Sequence, residues 1–352
     1  MKTNDFTFEL PENLIAQYPA AERGQSRLLI MNRKTGGLEH RMVQELPSIL
    51  EPGTLMVFNN SRVRKARLFG LSETAGTRAE FLLIKKLDDY SWQVMAKRAK
   101  RRRPGSRYVF DDVSGEILFA GETSGGEGNL ILRFDHPIDD AWLDIHGHIP
   151  LPPYIRREDA AEDGERYQTV YAREHGSAAA PTAGLHFTEE ILAELKNAGI
   201  ETAFITLHVG LGTFLPVRTE NVEEHTMHEE VYSISGETAC RIEKAKAEGR
   251  KVLAVGTTCV RTLESAWTEE AASTGKKSGR IRRGEGSTSI FIYPPYTFKV
   301  VDTLFTNFHT PGSTLLMLVS AFAGRDFILE SYKEAIEEGY RFFSYGDACL
   351  IL

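Results

Sequence analysis

Between Arg62 and Pro150 the chain changes rhythm, and that change restricts the folds open to it. Six short β candidates follow one another there, at 66–70, 79–86, 91–96, 107–110, 115–119 and 129–134, divided by turns in which glycine recurs. Six strands of this length with Gly-rich turns predict a small β-barrel. On both sides the pattern is different. Strands are expected at 28–32 and 54–58 ahead of the barrel. After it, helix patterns at 188–197, 236–248 and 259–270 alternate with strand patterns at 203–209 and 251–255. Two more helices, over 311–322 and 326–339, precede a terminal strand at 348–352. The expected fold class is therefore an α/β main domain, residues 1–61 and 151–352, with a six-stranded β-barrel of residues 62–150 inserted into it. With 352 residues, 41% of them hydrophobic, the chain can bury two such cores.

Local signals sharpen parts of this outline. Thr188 reads as the N-cap of its helix, Glu189 and Glu190 occupy the first turn, and Gly199 lies just past the end. The stretch 271–286 is polar, basic and rich in Gly and Ser, the composition of a mobile surface loop. The longest apolar run, 314–324, is too short to cross a bilayer, and the N-terminus lacks the apolar region of a secretory signal, so a cytosolic protein is expected. Three scattered cysteines, Cys240, Cys259 and Cys349, fit no zinc or redox motif. A formal charge of -7 excludes nucleic-acid binding through the overall field and leaves only local basic patches for it.

Three segments of the main domain carry candidate chemistry. In Ala178-Ala179-Ala180-Pro181-Thr182-Ala183-Gly184-Leu185-His186-Phe187, small residues lead into the capped helix. A ligand backbone can approach Thr182, Ala183 and Gly184 closely, with His186 beside it; a tight turn around a packed histidine is the competing reading. In His208-Val209-Gly210-Leu211-Gly212-Thr213-Phe214 a histidine and two glycines follow a strand, where α/β sheets bind ligands, yet the third glycine of a dinucleotide fingerprint is missing. His208 is a site residue or a satisfied core histidine. In Val255-Gly256-Thr257-Thr258-Cys259-Val260-Arg261, Thr257 or Thr258 caps a helix whose first amides can hold an anion. Arg261 either assists there or pairs with Glu264, three residues on. The His225-Thr226-Met227-His228-Glu229-Glu230 run has no zinc-hydrolase spacing, so no metal is expected, although His228 or Glu230 could reach the edge of a cleft as a base.

Two basic stretches stand against the acidic total: Arg62, Arg64 and Lys65 in one, Lys100, Arg101, Arg102 and Arg103 in the other. Each is a candidate for RNA phosphates or else a solvated surface. Trp92 and Tyr108 flank the second stretch and are expected to fill the barrel rather than stack on bases.

Taken in order, these motifs resemble the S-adenosylmethionine:tRNA ribosyltransferase-isomerase family of queuosine biosynthesis. The resemblance runs nearly end to end. It is carried by Val57-Phe58-Asn59-Asn60-Ser61-Arg62-Val63, Ile149-Pro150-Leu151-Pro152-Pro153-Tyr154-Ile155, Tyr167-Gln168-Thr169-Val170-Tyr171, Ala180-Pro181-Thr182-Ala183-Gly184-Leu185-His186-Phe187, Thr306-Asn307-Phe308-His309 and Ser344-Tyr345-Gly346-Asp347-Ala348. Two positions near His309 depart from the family's usual pattern: Pro295 stands where glycine is usual, and Thr310-Pro311 where Leu-Pro is usual. The resemblance implies that S-adenosylmethionine is consumed as a ribosyl donor, with no bound cofactor and no metal. The acceptor it implies is 7-aminomethyl-7-deazaguanine at the wobble position of tRNA, and the products are epoxyqueuosine, adenine and methionine. A monomer acting on tRNA is the expected form. Such a reaction needs a base for the 5′ carbon beside the sulfonium and an acid for departing adenine. His186, His208 and His309 are the candidates, and an ordinary histidine pKa near ~6.5 would suit both tasks. The methionine carboxylate would suit the helix start after Thr182-Ala183-Gly184 or the one after Gly256-Thr257-Thr258, with Arg261 as its charge partner.

Overall fold

The computed structural model describes residues 1–96, 99, 102–121, 129–210, 217, 219–270 and 278–352. In chain order the strands are β1 (Arg27–Asn32), β2 (Gly37–Met42), β3 (Leu55–Asn59), β4 (Ser61–Val63), β5 (Arg67–Ser72), β6 (Arg78–Lys86), β7 (Ser91–Ala96), β8 (Arg107–Phe110), β9 (Val113–Gly121), β10 (Asn129–Phe134), β11 (Glu174–Ser177), β12 (Glu201–Leu207), β13 (Glu230–Ile234), β14 (Val252–Val255), β15 (Trp267–Glu270), β16 (Ser278–Ile281), β17 (Gly284–Thr288), β18 (Thr303–Asn307) and β19 (Ala348–Ile351). They separate into two compact units, one of Met1–Arg62, Pro152–Arg157 and Arg166–Leu352, the other of Val63–Leu151 and Glu158–Glu165.

The larger unit is an α/β structure. Among the described residues its sheet runs β17-β13-β12-β3-β14-β18-β19-β1-β2. The neighbours β12, β3, β14 and β18 are parallel, with Ala203 opposite Val57, Ala254 opposite Val57 and Leu253 opposite Thr303. Every residue of β3, β14 and β18 is buried; β14 and the first four residues of β3 accordingly read as continuous apolar runs, whereas β18, with Thr303, Thr306 and Asn307, carries no such run and was not expected from sequence. Alternate side chains still serve different faces. Leu55 and Val57 pack with Ile242 of the Gly236–Ala247 helix, Val260 and Leu263 of the Thr257–Ala266 helix, and Leu316 and Ile328 of the helices Thr314–Ala323 and Arg325–Glu337. On the opposite face Met56, Phe58, Leu253 and Phe305 pack with Ile191 and Leu195 of the Glu189–Asn197 helix. That helix starts as its sequence predicts, with the Thr188 hydroxyl accepting the Ile191 amide at 3.2 Å.

The smaller unit closes into a six-stranded antiparallel barrel in the order β10-β7-β6-β5-β8-β9. Its inward residues include Phe81, Trp92, Tyr108, Phe110 and Phe134, so Trp92 and Tyr108 do fill the interior. Phe81 meets Tyr108 edge to face at 4.8 Å.

Two sequence expectations fail at the edges. The helix expected at 259–270 begins at Thr257 and stops at Ala266. Residues Trp267–Glu270 instead form β15, paired antiparallel with β16. The expected loop 271–286 contains strand β16 and the start of β17, which hydrogen-bonds to β13 at the end of the sheet; residues 271–277 lie outside the described ones. Pairing partners many residues away decided both outcomes, and a local reading of composition has no access to them.

Candidate active site

The parallel strands end on one edge, and a cleft of about 740 Å³, partly open to solvent, lies there. One wall is the segment Ala179, Ala180, Pro181, Thr182 and Ala183, where Thr182–His186 forms a 3-10 turn ahead of the Glu189–Asn197 helix. Gly184 keeps this turn tight, because a Cβ there would collide with the Tyr171 hydroxyl. A second wall is Gly256, Thr257 and Thr258 at the start of the Thr257–Ala266 helix. Gly256 makes the turn from β14 into that helix at φ 88°, a left-handed conformation that favours glycine. Thr306, Asn307, Phe308, His309 and Thr310 after β18 form the third, and Tyr154, Phe343 and Ser344 close the rim. No charged side chain lines the cleft among the described residues.

Buried asparagines tie these walls together. Asn59, at the end of β3, accepts the amides of Ser61 and Leu207 at 3.1 and 3.0 Å and donates to the Leu207 carbonyl at 3.0 Å. Asn307 ends β18: its Oδ1 accepts the Thr182 hydroxyl at 3.0 Å, and its Nδ2 donates to the Phe343 carbonyl at 3.2 Å and to His186 Nε2 at 3.0 Å. The second ring nitrogen of His186 meets Ser26 Oγ at 2.9 Å. His309 Nε2 pairs with the Thr306 hydroxyl at 3.0 Å, while its backbone amide donates to the Tyr332 hydroxyl at 3.1 Å. Thr310 lines the cleft and its carbonyl accepts the Ser313 hydroxyl at 2.7 Å. The Pro294-Pro295 bond is cis.

Thr182, Ala183, Thr257, Thr258 and His309 thus meet in one cleft, and the two helix-start regions are two walls of a single site. His186 does not line that cleft. It faces a smaller pocket with Arg23, Gly24, Ser26, Arg166 and Tyr345. His208 follows β12 and packs its ring against Gly176, away from the cleft lining, and Gly210 donates its amide to Glu230 Oε1 at 2.9 Å; Gly212 lies outside the described residues. The ordinary histidine pKa expected from sequence is corrected. Burial pushes His309 down to about 3, and burial, with the Arg341 and Arg23 charges, pushes His186 down to about 3.

Arg261 also differs from expectation. It pairs with neither Glu264 nor an open cleft: its guanidinium forms a buried ion pair with Glu230 and donates through Nε to the Ile290 carbonyl at 3.3 Å. Glu264 accepts the amides of Lys299, Val300 and Val301 at 2.9, 2.9 and 3.0 Å. Among the described residues no group of three or more His, Cys, Asp or Glu gathers as a metal site, and no helix is long and apolar enough to cross a membrane.

The basic stretches are largely engaged within their own surroundings. In the barrel unit Arg64 pairs with Asp140 at 2.5 Å, Lys65 donates to the Asp144 carbonyl at 2.6 Å, and Arg102 donates to the Tyr108 hydroxyl at 3.1 Å with its guanidinium 4.9 Å from the Phe81 ring centre. Arg62 is half-buried and Arg103 exposed; Lys100 and Arg101 lie outside the described residues.

The chain matches the sequence pattern of the queuosine biosynthesis protein family over residues 3–351. It belongs to that family. Relatives named S-adenosylmethionine:tRNA ribosyltransferase-isomerase align with it over the full length of both chains. They include one from Treponema denticola at 54% identity, one from Desulfitobacterium hafniense at 52% and one from Clostridioides difficile at 47%. The crystal structure of S-adenosylmethionine tRNA ribosyltransferase from Thermotoga maritima is 38% identical, covering 99% of this chain and 100% of its own, with a TM-score of 0.54. In this member of the queuosine biosynthesis family, sequence reasoning missed Tyr154, Thr306 and Asn307 as site residues. A signal for two of them was present: Thr306 and Asn307 are polar residues that directly follow the apolar pair Leu304-Phe305 in a buried strand, where a buried amide or hydroxyl needs a partner.

Proposed function

We propose that this chain transfers and isomerises the ribosyl group of S-adenosylmethionine onto 7-aminomethyl-7-deazaguanine at the wobble position of tRNA, giving epoxyqueuosine, adenine and methionine. The observation that carries this reading is the full-length family match, with relatives of that activity name at 47–54% identity. The cleft supports it chemically. A sulfonium cation is suited to a pocket that no charged side chain lines among the described residues and whose rim offers the aromatic rings of Tyr154 and Phe343. The first amides of the Thr257–Ala266 helix have no intrahelical acceptor and suit the methionine carboxylate without help from Arg261.

His309 is the histidine that lines the cleft and so the candidate to take the proton from the 5′ carbon; at neutral pH it is a neutral imidazole paired with Thr306. A buried histidine with so low a pKa is a weak base. Once it holds the proton, the same imidazolium is a strong acid, suited to deliver that proton to the departing adenine. One residue then serves both tasks that two histidines were expected to divide. S-adenosylmethionine is consumed as a substrate, and the reading includes no bound cofactor, no metal, a cytosolic location and a monomer as the working form.

The test is to incubate the protein with S-adenosylmethionine and tRNA carrying 7-aminomethyl-7-deazaguanine and to identify the products by mass spectrometry. Adenine, methionine and an epoxyqueuosine nucleoside are expected. S-adenosylhomocysteine would instead make the chain a methyltransferase, and tRNA binding without product would make it a non-catalytic tRNA-binding protein.

A further inference from the structure

His186 stands behind the cleft rather than in it, and its contacts fix where its proton lies. The orientation of the Asn307 amide is set by the Phe343 carbonyl, 3.2 Å from Nδ2. Turning the amide over would bring Oδ1 against that carbonyl, oxygen facing oxygen, and would present Nδ2 to the Thr182 hydroxyl in place of the acceptor it now meets at 3.0 Å. With Nδ2 a donor, His186 Nε2 at 3.0 Å must accept, so the ring carries its hydrogen on Nδ1 and donates it to Ser26 Oγ at 2.9 Å. Thr182 spends its own hydrogen on Asn307 Oδ1, so toward the cleft its hydroxyl can offer only lone pairs. The chain Ser26, His186, Asn307, Thr182 therefore has one consistent direction, and a second proton on His186 would set two donors against each other.

We propose that His186 is a positioning residue for the ribosyl transfer: as a neutral Nδ1-protonated imidazole it accepts from Asn307 Nδ2 and, with the Phe343 carbonyl, holds the amide in the orientation that makes Thr182 an obligatory acceptor for an N–H or O–H group of the ribosyl donor. This deepens the functional reading above and rests on it, because it takes the cleft as the place of reaction. His186 itself exchanges no proton with the substrate. Burial and the neighbouring guanidinium groups of Arg341 and Arg23 act in the same direction, keeping the ring uncharged.

Two measurements test it. In the full chain labelled with 15N-histidine, His186 is expected to give the signals of a neutral ring protonated on Nδ1, unchanged from pH 8 to pH 5. A ring that titrates near pH 6.5, or that carries its hydrogen on Nε2, overturns the proposal. Single-turnover kinetics on His186→Gln and His186→Asn provide the second measurement. A glutamine oxygen reaches the position of Nε2 and can still accept from Asn307, whereas asparagine stops at the position of Nδ1. His186→Gln should keep its rate within about fivefold and its pH profile unchanged, while His186→Asn should lose about a hundredfold (roughly 2.7 kcal/mol). Equal losses in both variants, or loss of an ionisation from the pH profile of His186→Gln, would mean that His186 carries the proton. Thr182→Val, which removes the acceptor, should raise the KM for S-adenosylmethionine; an unchanged KM overturns the role given to Thr182. The labelling experiment needs no turnover, so its failure is distinct from a failure of the unaltered chain to make epoxyqueuosine.

Discussion

Two buried histidines and one buried ion pair make individual residues of this chain sensitive to their surroundings in ways that identity alone does not convey. His186 and His309 have folded pKa values of about 3, below the ordinary unfolded value near ~6.5. The unfolded chain therefore binds more protons than the folded one between these limits. The stabilisation is complete above pH 6.5 and is lost as pH falls toward 3. At pH 5 the loss is on the order of 2 kcal/mol for each histidine. Urea unfolding at pH 7 and pH 5 should show it as a lower midpoint, and replacing both with glutamine should flatten the difference; equal midpoints in the unaltered chain would contradict it. Arg261 was legible as a charged residue near a candidate ligand-binding helix start, yet its partner was not, because Glu230 is brought to it by the pairing of β12 with β13. Arg261→Ala leaves the Glu230 carboxylate buried with the Gly210 amide beside it and should cost roughly 3–5 kcal/mol. The expected readout is a lower urea midpoint, with the affinity of the folded protein for S-adenosylmethionine unchanged. Weaker binding without loss of stability would return Arg261 to the site.

At the scale of elements, periodicity and caps were sufficient wherever a segment's burial was decided locally. Thr188 with its acidic first turn marked one helix to the residue, and the six barrel strands were legible because short apolar-alternating segments are set off by polar turns, several of them carrying glycine. The helix at Thr257–Ala266 shows what a local reading omits. Nothing between Leu263 and Glu270 is a glycine or proline stop, and the helix ends because Trp267 pairs with Ile281. Its residue Glu264, whose spacing suggested a partner on the same helix, instead anchors the backbone of Lys299, Val300 and Val301 just before β18. Glu264 thereby helps fix the strand that delivers Thr306 and Asn307 to the cleft. Glu264→Gln keeps the shape but turns one oxygen into a donor facing a donor, and should destabilise the protein by about 1–3 kcal/mol. Thermal unfolding would measure this. A Tm equal to that of the unaltered chain would show that the three amides find other acceptors.

For the molecule as a whole, the architecture was legible and the site only partly so. The fold class follows from periods that can be counted along the chain, although strands β2, β13, β17 and β18 of the large sheet were not among those expected; the cleft gathers Tyr154, Thr182, Thr257 and His309, which no spacing connects. Binding of an RNA raises the same question, because a net charge of -7 repels it at long range and the outcome rests on which cations are available at close range. In sequence both basic stretches were candidates for phosphates, the second more than the first. In the structure Arg64 is held by Asp140 and Arg102 lies over the rings of Phe81 and Tyr108, whereas Arg103 is exposed. A cation already paired with a carboxylate releases little counterion on meeting a phosphate, while an exposed one releases nearly a full equivalent. Arg103→Ala should therefore lower tRNA affinity and reduce the slope of log K against log salt by roughly 0.7–0.9, with stability unchanged. Arg64→Ala should leave the slope nearly as it was and lower the unfolding midpoint. Filter binding of tRNA over a range of salt concentrations, with thermal unfolding of the same variants, separates the two effects. A slope untouched by Arg103→Ala would remove that part of the barrel from the RNA-binding surface.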